Sequence, residues 1–328
     1  MHVRWLRPLL RPRFIFPAIA TAALLLFAFS VAGLSEVMAS IHHLTPAAIA
    51  RSLGLAVAYL LIKGTTWRFL LTRLGIRIPW RRLALAFLIG ESCIPIPSGV
   101  YIENYVLRRI GGAGFATSAA ATTVMLALEA MVVFLTLVVF PVPALVWLRP
   151  IILATGFVIA ALWAILTHVR LRRDPQQHSI RHSAIGVLRQ AAGDLFDGLR
   201  VLATPRILVA CGAAAAVYLL VVVVSFLNIA HGVGATELTL MQALTIYFFS
   251  LAAMFLFSGV VSQFGVVEVV GMTAAEAWGY SPSAGLAMLL GFRLVWMLSI
   301  WLIAILAAIA LHRNFRRSTA DDIQKIPD

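Results

Sequence analysis

Residues 83–112 read LALAFLIGESCIPIPSGVYIENYVLRRIGG, and how this stretch sits in a bilayer decides the architecture. It is apolar for only about 13 residues before Pro95 and Pro97 interrupt it, short of the roughly 20 that a membrane-crossing helix needs. Arg81 and Arg82 precede it, and Arg108 and Arg109 close it. Because Lys and Arg accumulate on the cytoplasmic side of membrane proteins, both ends are expected on that side. The stretch is therefore expected to enter the membrane and return without crossing.

Composition supports a membrane setting. Of 328 residues, 62% are hydrophobic and 12% charged, and mean hydropathy is +0.97. A soluble domain carries about 25% charged residues. The formal charge of +13 does not point to nucleic acid, because 23 of the 26 basic residues fall in five clusters: the N-terminus, 63–82, Arg108 and Arg109, 170–206, and the tail after His312. These alternate with loops nearly free of Lys and Arg, the positive-inside pattern.

Read outward from residues 83–112, the chain is expected to be an all-α polytopic membrane protein. An uncleaved first span covers about 14–33, its apolar run being longer than a signal peptide's. LSEVMASIHHLT follows as an outer loop. Thr45 and Pro46, an N-cap with Pro at the first helical position, open a second span that returns near Lys63, and 67–82 lies at the cytoplasmic interface. A third span, about 115–140, reaches the turn at Pro141–Pro143, and a fourth, about 146–168, comes back. Residues 170–206 form a cytoplasmic amphipathic linker whose Ile185, Leu188, Ala192, Leu195, Leu199 and Val201 trace one helical face. A fifth span covers about 207–230 and the last about 282–311, leaving 313–328 as a cytoplasmic tail. Both ends are thus cytoplasmic, and 1–328 is one transmembrane domain.

A second interrupted apolar stretch, about 238–280, has no Lys or Arg at either flank and is expected to enter from the outer side. It resembles the first, about 83–110. Each has an apolar half-helix, a Pro/Ser/Gly break and a glutamate, and each precedes a span with one ionisable residue. Glu103 to Glu129 is 26 residues and Glu268 to Arg293 is 25. Six full spans plus two oppositely oriented re-entrant hairpins make an inverted repeat between halves 1–169 and 207–312, the arrangement that places a transporter's substrate near mid-membrane. Broken helices at that depth are tolerated only where protein or a water-filled cavity surrounds them.

Glu91, Glu103, Glu129, Glu268 and Arg293 lie within or beside apolar segments, where each charge costs roughly 2.5 to 3.5 kcal/mol on insertion scales. Glu129 lies 11 residues before Phe140 and Arg293 lies 11 after Pro282, each about 16 Å along its helix. The shared depth predicts an ion pair facing a common cavity. Two structural roles compete with substrate contact: a locking salt bridge for that pair, and capping of exposed backbone N–H groups by Glu103 and Glu268. Gly265, Glu268, Gly271 and Ala275 share one helical face, where small-residue packing suffices to explain the glycines.

Signals for catalysis are poor. Cys93 and Cys211 belong to no metal or redox motif, and His178 and His182 lack the Glu of HExxH. No Walker loop, GxSxG or dinucleotide fingerprint occurs. No catalytic residue, metal or cofactor is expected, and nothing sets an oligomeric state.

At GESCIPIPSGVYIENYVLRRIGG, and again at SGVVSQFGVVE with Arg293 beyond it, the chain resembles the transmembrane region of the lysylphosphatidylglycerol synthase family, a flippase-like group of integral membrane proteins. The resemblance covers nearly the whole chain, including Trp67 and Arg68. Pro97, Gly99 and Glu103 look like the first family motif; Ser258, Gly259, Gly265 and Glu268 look like the second, with Arg293 as its later arginine. Position 130 is Ala where the family often has Arg, and the second turn lacks the usual proline. No part of these residues resembles the family's soluble aminoacyl-transferase domain, so lysyl transfer is not expected.

The resemblance and the inverted architecture together imply transport or flipping of a lipid or lipid-linked head group across a bacterial inner membrane. Membrane lipids are the expected partners, and nucleic acid is not. Arg293, with Arg108 and Arg109 at the cytoplasmic face, would attract phosphate, and Glu103, Glu129 and Glu268 would hold a cationic part or protons. Two alternatives are a non-transporting partner of a lipid-modifying enzyme or glycosyltransferase, and an ion-coupled transporter of a small solute.

Overall fold

The computed structural model describes residues 23–94, 99–142, 184–257 and 263–323, with five helical positions between 150 and 157. Pro97, Ser258, Gly259, His178, His182, the N-terminal arginines, the expected Pro141–Pro143 turn's last residue and most of the expected fourth span lie outside the described residues. Among the described residues all regular structure is helical: α1 (Ala23–Ala32), α2 (Leu34–His42), α3 (Pro46–Arg73), α4 (Trp80–Cys93), α5 (Ile102–Gly111), α6 (Phe115–Val139), α7 (Ala184–Leu202), α8 (Pro205–Gly232), α9 (Leu240–Phe257), α10 (Gln263–Ala277) and α11 (Pro282–Ile323), with a 3-10 turn at Gly99–Tyr101.

Four of these are long and apolar enough to cross a membrane: α3, α6, α8 and Pro282–Ala310 of α11; a fifth arises if α1 and α2 count as one bent span. Their outward faces carry exposed Leu61, Leu135, Val209, Val217, Leu302 and Ile305, which water would disfavour and lipid accepts. The chain is a multi-pass membrane protein. Its long helices bury only part of their surface in one another, and α3 packs most closely on α8. There the Asn228 amide donates to Ala48 O (2.8 Å) and Ser52 Oγ (3.0 Å).

The start of α3 is as the sequence predicts: the Thr45 side chain accepts a hydrogen bond from Ala48 N, with Pro46 in the first turn. Its end is not. The helix runs ten residues past Lys63 to Arg73, so the basic residue taken as the end of a span lies in its interior. Trp67, expected at the interface, is wholly buried with its ring 5.9 Å from that of Phe87. The true stop is Gly75 at φ 77°, with Gly75 N donating to Thr72 O and Ile76 N to Leu71 O, a Schellman closure.

Two further expectations change. The segment after Gly33 is helical rather than a loop: Gly33 adopts φ 75°, and α2 leaves α1 at 82° to bury Val37 with Ala28, Ala32, Leu286 and Ala287. The linker helix α7 docks on α6 through Gly198, Leu199 and Leu202, whereas Val201 is half exposed.

Both interrupted stretches fold as short helix pairs. At about 1.5 Å per residue, α4 with 14 residues and α5 with 10 span about 21 and 15 Å, less than the ~30 Å hydrocarbon core. The two pack together because Gly90 has no side chain: a Cβ there would lie 2.5 Å from Glu103 Cβ. Likewise a Cβ at Gly99 would run into Cys93 O, so only glycine fits where the chain turns back. In the second pair α9 packs on α10, and α10 on α11. Gly271 sits where a Cβ would meet Ser250 and Leu289, which is the small-residue packing the sequence allowed.

Candidate functional site

A cavity of about 160 Å³ lies where α3, α4, α5, α6, α8, α9 and α11 converge. Its polar wall begins on α3. Tyr59 and Lys63 are four residues apart, so they share one helical face, and that face points inward because both are buried. Lys63 Nζ lies 3.1 Å from Glu91 Oε1 of α4 and 3.1 Å from Glu129 Oε1 of α6, and it donates to the Tyr59 hydroxyl at 2.9 Å. Tyr59 donates onward to Glu91 Oε2 (2.8 Å), and Tyr218 of α8 donates to Glu129 Oε1 (2.7 Å). An ammonium has three N–H donors, and these three acceptors match them.

The apolar wall is aromatic. Tyr59 meets Tyr218 edge-on with centroids 5.8 Å apart and Trp296 at 5.3 Å; Phe292 joins Trp296 (5.5 Å) to Tyr247 (5.4 Å). Such pairs add about 0.5 to 1.5 kcal/mol each beyond their burial, so this side of the cavity is stiff.

On α11, Arg293 lines the cavity and donates from Nη1 to Glu268 Oε1 of α10 at 2.6 Å. Glu268 is wholly buried. Its Oε2 accepts from Gly265 N at 2.7 Å, one of the first-turn N–H groups that have no partner within the helix, with Gly265 at φ 88° where a side chain would be strained. The capping role considered for Glu268 is therefore realised, together with an ion pair.

Glu103 sits at the cavity edge on α5. Its Oε1 accepts from Thr122 Oγ1 of α6 at 2.5 Å, and Thr122 accepts from Asn104 Nδ2 at 2.9 Å. Gly99 is buried in the turn leading to α5. Arg108 and Arg109 occupy the last turn of α5, away from the cavity lining; the Arg109 guanidinium stacks over exposed Tyr105 at 5.3 Å.

The sequence predicted Glu129 and Arg293 at a common cavity as an ion pair; both line the cavity, together with Glu103, but they are not paired. Glu129 and Arg293 share the cavity without a salt bridge: Lys63 holds Glu129, and Glu268 holds Arg293. Lys63, Tyr59 and Tyr218 were missed. The available signal was that Tyr59–Ile62 before Lys63 and Trp67 and Phe69–Leu71 after it continue the apolar pattern past the lysine, interrupted only by Gly64, Thr65, Thr66 and Arg68. Among the described residues no three His, Cys, Asp or Glu side chains converge as metal ligands would.

Long apolar helices, two short helix pairs and a charged cavity enclosed between them define an integral membrane protein with a polar site inside its transmembrane bundle. The family model described as the lysylphosphatidylglycerol synthase TM region matches residues 14–317, and the chain belongs to that family. None of the curated proteins compared matches it.

Proposed function

We propose that this protein moves a lipid or lipid-linked head group across the bacterial cytoplasmic membrane, without catalysing a covalent reaction. The observation that carries the reading is the buried cavity in which Lys63 and Arg293 face Glu91, Glu103 and Glu129. Charges inside an apolar bundle are expensive and mark pathways for polar cargo. A cavity lined this way offers a head group contacts that acyl chains cannot. Family membership supports a lipid rather than a soluble solute.

In this reading the chain crosses six times, and α4–α5 and α9–α10 are re-entrant hairpins opening to opposite faces as an inverted repeat. Two facts support it. Arg81 and Arg82 at the start of α4 and Arg108 and Arg109 at the end of α5 belong at one basic level, and no Lys or Arg occurs from 207 to 292. Both termini are then cytoplasmic. Arg108 and Arg109 draw anionic head groups to the inner face, Arg293 binds their phosphate, and Glu103, Glu129 and Glu268 hold a cationic part or protons.

Reconstitution in lipid vesicles with a leaflet-resolved head-group assay tests the proposal. Wild-type protein is expected to equilibrate labelled lipid between leaflets, and Glu268→Gln and Arg293→Gln to slow it strongly. Unchanged lipid asymmetry with wild-type protein would sink it.

A further inference from the structure

The four buried acids are not held alike. Glu91 and Glu129 meet Lys63 and tyrosine hydroxyls, and Glu268 meets Arg293 and a backbone N–H. Among the described residues Glu103 is the buried acid held by a neutral donor alone, the Thr122 hydroxyl. Behind Thr122 stands Asn104, wholly buried, whose Oδ1 has no hydrogen-bond partner among the described residues. An orphaned buried acceptor destabilises the state that holds it. Turning the amide by about 180° exchanges its donor and acceptor, so that Oδ1 faces Thr122 and the NH2 takes its place.

The three groups form a chain that can run either way. With Glu103 ionised, Asn104 N–H donates to Thr122 and the Thr122 O–H donates to the carboxylate, as observed. With one proton added from the cavity to Glu103 Oε1, the carboxyl O–H donates to Thr122 Oγ. The Thr122 hydroxyl then turns its hydrogen onto Asn104 Oδ1, and the amide flips to receive it. One proton is gained and no bond between heavy atoms changes. The Oδ1 that lacks a partner in one state accepts from Thr122 in the other, so each protonation state has its own hydrogen-bonded connection from α5 to α6.

We propose that Glu103 takes up and releases a proton during the transport cycle, with Thr122 and Asn104 as a hydrogen-bond chain whose direction reverses with it. This rests on the transport reading above and supplies its coupling ion. The ionisable groups facing Glu103 are Glu91 of α4, Glu129 of α6 and, between those two, Lys63 of α3; Arg293 of α11 lines the same cavity. The hydroxyl of Tyr101, in the 3-10 turn, lies by Thr123 at 3.4 Å. Proton uptake at Glu103 therefore changes the field on the Lys63 cluster, which links it to the opposite wall.

Infrared difference spectra of the full chain in vesicles, acid minus neutral, read the switch without reference to transport. A carboxylic-acid C=O band is expected to appear together with a shifted side-chain amide band. Glu103→Gln should remove both. The near-isosteric Thr122→Val, which retains Glu103, should keep the carboxylic band and lose the amide shift. A wild-type spectrum identical to that of Glu103→Gln, or a carboxylic band rising without the amide band, overturns the proposal. In the vesicle assay, an imposed proton gradient should speed lipid movement several-fold while a sodium gradient does nothing; the reverse also overturns it. If both bands titrate but no lipid moves, the switch stands and the flippase reading falls. If lipid moves regardless of either gradient, the flippase reading stands and proton coupling falls.

Discussion

The two halves of the molecule solve the same problem, a buried carboxylate on a short broken-helix pair, by different means. In the first half a single cation, Lys63, serves two acids from two helices, and tyrosine hydroxyls complete the network. In the second half, among the described residues, Arg293 meets one acid, and that acid also binds backbone at the start of its own helix. The first arrangement is side chain against side chain over four helices, and without Lys63 each of its acids keeps only a neutral tyrosine hydroxyl. The second is anchored to the main chain, so its acid keeps a partner when the cation goes. The fallback partner is thus main chain on the α10 side and a side-chain hydroxyl on the α3 side.

That contrast can be broken or sharpened by substitution, with stability read from thermal unfolding in detergent. Lys63→Met leaves two buried carboxylates uncompensated and is expected to cost about 5 kcal/mol, at the top of the range for a broken buried pair. Arg293→Met leaves Glu268 its backbone N–H and should cost about 3 kcal/mol; a loss equal to that of Lys63→Met would remove the distinction. Gly90→Ala, which forces α5 away from α4 at Glu103, should cost about 2 kcal/mol, and a neutral result would mean the pair is loosely packed. Tyr218→Phe deletes one hydrogen bond to Glu129 while Lys63 remains, for about 1.5 kcal/mol.

Much of this was legible in the sequence, and the parts that were not share a cause. The Thr45–Pro46 start, the long apolar helices and the two interrupted stretches follow from local chemistry: capping groups, runs of apolar residues, and prolines and glycines that a helix rejects. The buried acids were visible because a charge in an apolar run stands out. Their partners were not. Equal depth placed Glu129 and Arg293 at one level, but depth says nothing of the direction a side chain leaves its helix. Lys63 was misread because a basic residue near the expected end of a span normally marks the interface. Here two carboxylates from α4 and α6 neutralise it, and that fact exists only once those helices are packed.

The saturation of Lys63 has a consequence for anything that enters the cavity. Its three N–H groups already face Glu91, Glu129 and Tyr59, so an arriving anion gains the ammonium only by evicting an acceptor the protein carries itself. The glutamates act as resident competitors for the same cation. Net affinity is then the small difference between two strong attractions, and small differences in charge or shape of the guest decide whether the exchange runs forward. Occupancy is then brief, which suits the transport role proposed above.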